Sequence, residues 1–196
     1  MLQFVTKYPA SRSIADQVKG VIDGGCRWIE LSAPGMGEEE LRSVAREIIP
    51  FCKEVDAIVV TRNHPGLAAE LRLHGIFLDY STGLRVTRER LGGEAIIGVA
   101  VDDIAHIKAL RTVDVDYVTV AIDSGDTCRR GVEMAAEARR EGIKLPIVAE
   151  GSFDAEEMAM LLHVGFSGFA VSSQLADADE PSEATASLLR GLTGLM

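Results

Sequence analysis

Eight short apolar runs, each followed by a helix-like segment, constrain this chain more than any other feature. They are Leu2–Thr6, Trp28–Leu31, Ala57–Thr61, Ile76–Leu78, Ala95–Val101, Tyr117–Ala121, Ile147–Ala149 and Phe169–Val171. Continuous apolar strands are buried on both faces, and strict alternation with helices implies a parallel sheet. A weak repeat supports the count. VIDGGCRWIEL, LRLHGIFLDY, LRTVDVDYVTV and LLHVGFSGFAV share a helix end, a tight turn and an apolar strand. Their strand centres lie roughly 40–50 residues apart, room for two βα units each. Eight units in 196 residues leave about 25 per unit, enough for a minimal (β/α)8 barrel as a single domain over 1–196. The competing folds are an open doubly wound sheet and two fused receiver-like domains. The first strand is followed by TKYPASRS, without the glycines a dinucleotide-binding sheet places there. No linker divides the chain, so the barrel is the expectation.

The helices carry their own boundary signals. Ser13 and Asp16 cap a helix whose apolar face is Ile14, Val18, Val21 and Ile22, and Gly24-Gly25 ends it. Leu41, Val44, Ala45 and Ile48 form a second stripe, which Pro50 is expected to kink or cut. Asp154 with Glu157 reads as a capping box, and Gly165 as the stop.

With 47% hydrophobic residues the chain can fill one core, which excludes disorder. A net charge of −10 argues against sequence-independent nucleic-acid binding, which needs a basic face. The longest apolar run, Ala95–Val101, is far short of the ~20 residues that span a bilayer. The N-terminus has no basic stretch leading into an apolar core. Cys26, Cys52 and Cys128 are odd in number and lack metal-ligand or disulfide spacing. The expectation is a cytoplasmic protein with reduced thiols and no membrane or nucleic-acid partner. Self-association into a homo-oligomer is left open.

In such a barrel, chemistry sits where the strands end. Those ends carry Lys7, Glu30, Arg62, Asn63, His64, Asp79, Tyr80, Asp102, Asp123 and Ser124, then Gly151, Ser152, Ser172 and Ser173. Loop starts are commonly polar, so most single positions read equally well as solvated rim. Two subsets stand out. Gly151-Ser152 after strand seven and Ser172-Ser173 after strand eight occupy the usual barrel phosphate site, where glycine admits backbone N–H groups and hydroxyls add donors. Glu30 and Glu150 end apolar strands, so each must be paired or protonated. Lys7 and Arg62 are the candidate partners, and a structural ion-pair network is as good a reading as a catalytic acid. His64 reads either as a base or as the cap of a helix starting near Pro65. His74, His106 and His163 read as solvated or packed. No metal-ligand spacing and no Ser/His/Asp set is found.

FVT at 4–6, WIEL at 28–31, LA at 67–68, GIFL at 75–78, IIGVAV at 96–101, DYVTV at 116–120, PIVAEGS at 146–152 and GFAVSS at 168–173 follow one another in a familiar order. This resembles, over almost the whole chain, the thiamine phosphate synthase family, which includes the related thiazole tautomerases. The resemblance implies a transferase of thiamine biosynthesis on a (β/α)8 barrel, with phosphorylated precursors bound at strands seven and eight. The family's synthase joins a pyrimidine methyl diphosphate to a thiazole phosphate, with Mg2+ assisting departure of diphosphate. The chain departs from that pattern at key positions. The family's Gln-Leu-Arg reads Glu30-Leu31-Ser32, and the lysine two positions later is Pro34. Its Asn-Asp-Arg reads Arg62-Asn63-His64, and its His-Leu-Gly-Gln reads Phe77-Leu78-Asp79-Tyr80. Thr82 stands for its second metal-binding aspartate, Ala100 for a serine, and DSGDT for a long lysine-bearing loop. Gly151-Ser152 and Ser173 preserve the phosphate end.

The expectation is therefore a barrel that binds a small phosphorylated ligand, with the standard reaction impaired or replaced and Mg2+ needed only if that reaction persists. The alternatives are a non-catalytic or regulatory phosphate-ligand barrel, and a different phosphate-sugar enzyme. An epimerase or aldolase would draw on Glu30, His64, Asp79 or Asp123, with Arg62 beside them, and Lys7 is the one lysine near a strand end.

Overall fold

The computed structural model describes residues 1–79, 83–110, 113–122 and 126–194. Among them are eight strands: β1 (Leu2–Val5), β2 (Trp28–Leu31), β3 (Ile58–Arg62), β4 (Gly75–Leu78), β5 (Ile96–Ala100), β6 (Tyr117–Ile122), β7 (Ile147–Gly151) and β8 (Gly168–Val171). The helices are α1 (Ile14–Asp23), α2 (Glu38–Glu54), α3 (Pro65–Leu71), α4 (Leu84–Leu91), α5 (Ile104–Leu110), α6 (Asp126–Arg140), α7 (Ala155–Val164), α8 (Ser173–Ala176) and α9 (Pro181–Thr193). Every strand pairs in parallel with the next, and β1 closes onto β8 through Leu2↔Phe169, Gln3↔Ala170 and Phe4↔Val171. Closure excludes both the open sheet and two separate receiver-like sheets. No helix among the described residues is long and apolar enough to cross a membrane.

Closure explains the apolar strands, because alternate residues face two different dry layers. Phe4, Ile29, Val59, Ile76, Val118 and Phe169 point outward and pack with helix residues such as Val18, Leu41, Ile48 and Leu161. Val5, Phe77, Tyr117, Val148 and Ala170 pack inside the barrel. Trp28 meets Tyr117 edge-on there, with ring centroids 5.3 Å apart. The large Tyr117 ring needs space opposite, and Gly98 supplies it: a Cβ at Gly98 would lie 2.2 Å from the ring.

The boundary signals act as written at both ends of α1 and α7. The Ser13 hydroxyl accepts the Asp16 N–H, and Asp154 and Glu157 form a reciprocal capping box. Pro50 does not cut α2, which continues to Glu54. The residue is exposed, so its ring meets no packed neighbour, and the unmatched carbonyl one turn back belongs to the exposed Arg46. After β8 the chain forms α8 and then α9, which packs against α1 and α7.

Candidate functional site

β2, β3 and β7 each turn one polar side chain inward at the end of an otherwise apolar run, and Asp79 follows directly on β4. Glu30 on β2 is 1% exposed, and Arg62 on β3 reaches it with Nε, 2.5 Å from Oε1. The same guanidinium holds Asp79, just after β4, through Nη1 at 2.9 Å, and Glu150 on β7 through Nη2 at 3.2 Å. Its plane lies over the Phe77 ring, 4.4 Å from the centroid, which suits a delocalised cation shielded from water. Arg62 is thus the hub of a three-carboxylate cluster across the barrel mouth. Arg62 lies two residues beyond Val60, and Glu30 two beyond Trp28, so strand alternation sends both inward.

The cluster is tied to the barrel interior from below. The amide of Gln3 donates to Glu30 Oε2 at 3.1 Å and to the Tyr117 hydroxyl at 3.1 Å. Asn63, with its backbone at φ 60°, donates from its amide to Asp79 Oδ2 and accepts the Asp79 N–H at 3.0 Å. Both oxygens of Glu30 and of Asp79 therefore already accept hydrogen bonds. Burial pushes the Glu30 carboxyl up from 4.5 to about 7, against the opposing pull of Arg62, with Glu150 and Asp79 adding to the rise. Burial also raises the Tyr117 phenol, and the neighbouring Glu30 carboxylate adds to this. Burial alone would lower the Arg62 guanidinium, but its acidic neighbours outweigh that and it is raised.

Several expected candidates stand elsewhere. Lys7 does not partner Glu30 or Glu150. It pairs with Asp177, on the loop beyond α8, because its place after β1 puts it beside β8 as well as β2. His64 caps α3 through its carbonyl, which accepts the Ala68 N–H, while its ring makes no cap bond. Asp102 forms a pair with His106 at 3.1 Å on the surface. Asp123, Ser124, Tyr80 and Thr82 lie outside the described residues.

At the other side of the mouth, Gly151 ends β7 and Ser172 follows β8. Gln174 joins these two neighbouring ends. Its Nε2 donates to Phe153 O at 2.7 Å, and its Oε1 accepts the Phe153 N–H at 3.0 Å. Ser152 and Ser173 are exposed, and Gly151 and Ser172 half-buried. Gly151 has a packing reason of its own: a Cβ there would lie 2.7 Å from Ile122 O. With Ser152 it lines a hollow of 380 Å³ shared with Cys128, Phe153, Glu157 and Met160, while Ser172 and Ser173 do not line it. A larger cavity of 950 Å³ opens beside the Arg62 cluster, reaching Asp79, Ala100, Asp102, Thr119 and Glu150.

Gln3, Phe77, Tyr117 and Thr119 contribute to this mouth without having been singled out from the sequence. Gln3 carried a usable signal, since it is a polar residue inside LQFV. Tyr117 reads as an ordinary strand aromatic until closure places it opposite Gly98 and within reach of Gln3.

The profile of the family described as Thiamine monophosphate synthase matches residues 2–175. A thiamine-phosphate synthase from Bacteroides fragilis is 29% identical, covering 96% of this chain and 98% of its own length. One from Natronomonas pharaonis is 27% identical, covering 96% and 92%. Among solved structures, a thiamine phosphate pyrophosphorylase from Pyrococcus furiosus superposes with a TM-score of 0.86 at 19% identity, over 100% of this chain and 96% of the other. That last likeness establishes the fold.

Proposed function

The chain belongs to the thiamine monophosphate synthase family, and from that premise we propose that its barrel mouth binds a small phosphorylated ligand while the standard synthase reaction is impaired or replaced. The observation that carries this reading is the engagement of Arg62 by Glu30, Asp79 and Glu150. Expelling diphosphate needs several converging positive charges that strengthen as the bond breaks. Here Arg62 is shared among three carboxylates, Lys7 is paired with Asp177 and Arg85 with Glu89.

Mg2+ does not fit the described residues of this mouth. Asn63 offers a neutral amide, the oxygens of Glu30 and Asp79 already have donors, and a guanidinium stands within 2.9 Å of Asp79. Two unit charges 4 Å apart interact by about 4 kcal/mol at an effective dielectric of 20, and between Arg62 and a metal that term is repulsive. No step is therefore assigned to a metal. The phosphate is assigned to the ends of β7 and β8, where Gln174 holds the two loops together and Ser172 and Ser173 offer hydroxyls.

Two measurements test the two halves. Purified protein is given both thiamine precursors with Mg2+, and thiamine phosphate is followed by chromatography. Turnover at least ~10²-fold below an ordinary enzyme rate of about 10 s⁻¹ is expected. A rate near that value overturns the impairment. Calorimetry with thiazole phosphate and its dephosphorylated alcohol tests the phosphate site. The phosphate is expected to bind at least tenfold tighter, and Ser173→Asp to remove that advantage. Ser173 is preferred to Gly151 because a side chain at Gly151 collides with Ile122. Equal affinity for the two compounds overturns the assignment.

A further inference from the structure

The geometry points to a second recognition element in the same mouth: the 950 Å³ cavity takes a small organic cation with an apolar body. This deepens the reading above and rests on it only for where the ligand sits. The inner wall of the cavity is made of small side chains. Ala100 on β5 is in register with Thr119 on β6, and Ala121 follows on the same face. Their size is what leaves the space. The outer wall is open to solvent and carries an apolar stretch, with Val86 61% and Val113 42% exposed, beside Arg85 and His106. The cavity opens between α4 and α5, whose residues Leu84, Val86, Ala109 and Leu110 line it. An apolar stretch reachable from solvent suits an apolar ligand body, since burying it removes both surfaces from water.

The end nearest the barrel axis is acidic. Asp79 and Glu150 line it, and the exposed Asp102 lines the cavity as well; among the described residues, the Arg62 guanidinium is shared among three carboxylates and Arg85 is paired with Glu89. Among the described residues, this excess of carboxylates over cations favours a positive ligand group and opposes an anion. An independent sign comes from Thr119. It is 2% exposed and lines the cavity, yet its hydroxyl has no hydrogen-bond partner. A buried hydroxyl without a partner is costly, and a polar ligand atom at this wall would satisfy it.

Benzamidine serves as the probe and benzoate as its anionic counterpart. Neither carries phosphate, so their binding is read independently of the β7–β8 site. Titration followed by NMR is expected to show benzamidine at least tenfold tighter than benzoate. Ala121→Leu fills the inner wall and should weaken benzamidine at least tenfold. Thr119→Val keeps the shape, removes the hydroxyl and should cost about threefold. Val113→Lys guards against misfolding of the Ala121 variant, because the position is on the exposed wall. It should weaken benzamidine and favour benzoate. Absence of benzamidine binding, benzoate binding as tightly, or unaltered benzamidine affinity in Val113→Lys overturns the proposal.

Discussion

Glu30 concentrates the electrostatics of the mouth in one residue. It is buried, accepts from Arg62 and Gln3, and has its carboxyl raised from 4.5 to about 7, mainly by burial. An acid whose folded value is raised holds its proton when the unfolded chain has lost it. Its contribution to stability is therefore complete below pH 4.5 and is lost as pH rises through about 7. The span corresponds to about 3 kcal/mol. Glu30→Gln should remove this slope, making urea-unfolding free energies between pH 5 and pH 8 flatter than those of the parent protein. The cluster can accept the change: Gln3 Oε1 is buried without a partner, and turning the Gln3 amide over would offer it to the new side chain. An unchanged slope would show that Glu30 is ionised in the folded protein throughout. The need for a partner was legible in the sequence, because a carboxylate inside WIEL must be compensated. That Arg62 alone would bind three carboxylates was not, because it depends on the facing of β2, β4 and β7 across the barrel.

At the level of elements, packing overrides local preference in α2. Pro50 removes one backbone donor and is a poor helix residue, yet Leu41, Ala45, Ile48 and Cys52 are buried along one face and hold the helix past it. Because Pro50 is exposed, Pro50→Ala should restore the hydrogen bond to Arg46 O without disturbing a contact. It should stabilise the protein by about 1–2 kcal/mol, the helix gain being partly offset by a freer unfolded chain. The midpoint of urea unfolding measures this, and a lowered midpoint would mean that Pro50 favours a needed helix geometry. Caps at Ser13 and Asp154 were readable because they depend on three or four consecutive residues. The continuation through Pro50 was not, since the decisive contacts come from the sheet beneath it. Strand ends shifted for the same reason: Glu150 and Gly151 belong to β7 because β6 pairs with them.

The whole molecule carries a net charge of −10, and that field acts on a ligand before any site residue does. Composition, strand count and the alternation of strand and helix made the barrel legible, because closure is the solution that buries eight two-faced apolar strands. They could not show how charge is arranged at its mouth. Among the described residues there, Lys7, Arg62 and Arg85 are paired with carboxylates, so their charge is offset as a phosphate ester approaches the hydroxyls at β7 and β8. Salt shortens the range over which the net negative charge repels it, from a Debye length of about 30 Å at 0.01 M to about 8 Å at 0.15 M. The association rate of thiazole phosphate should therefore rise about twofold or more across this range, the reverse of a site that draws anions in. Trp28 is the chain's single tryptophan, stacked edge-on against Tyr117 and two residues from Glu30, so stopped-flow fluorescence can report the encounter. A rate that falls with salt would mean that a local positive potential governs the approach. In that case Arg62 exchanges its carboxylates for the ligand on the way in, and the mouth must be read as a cation cradle held closed by Glu30, Asp79 and Glu150.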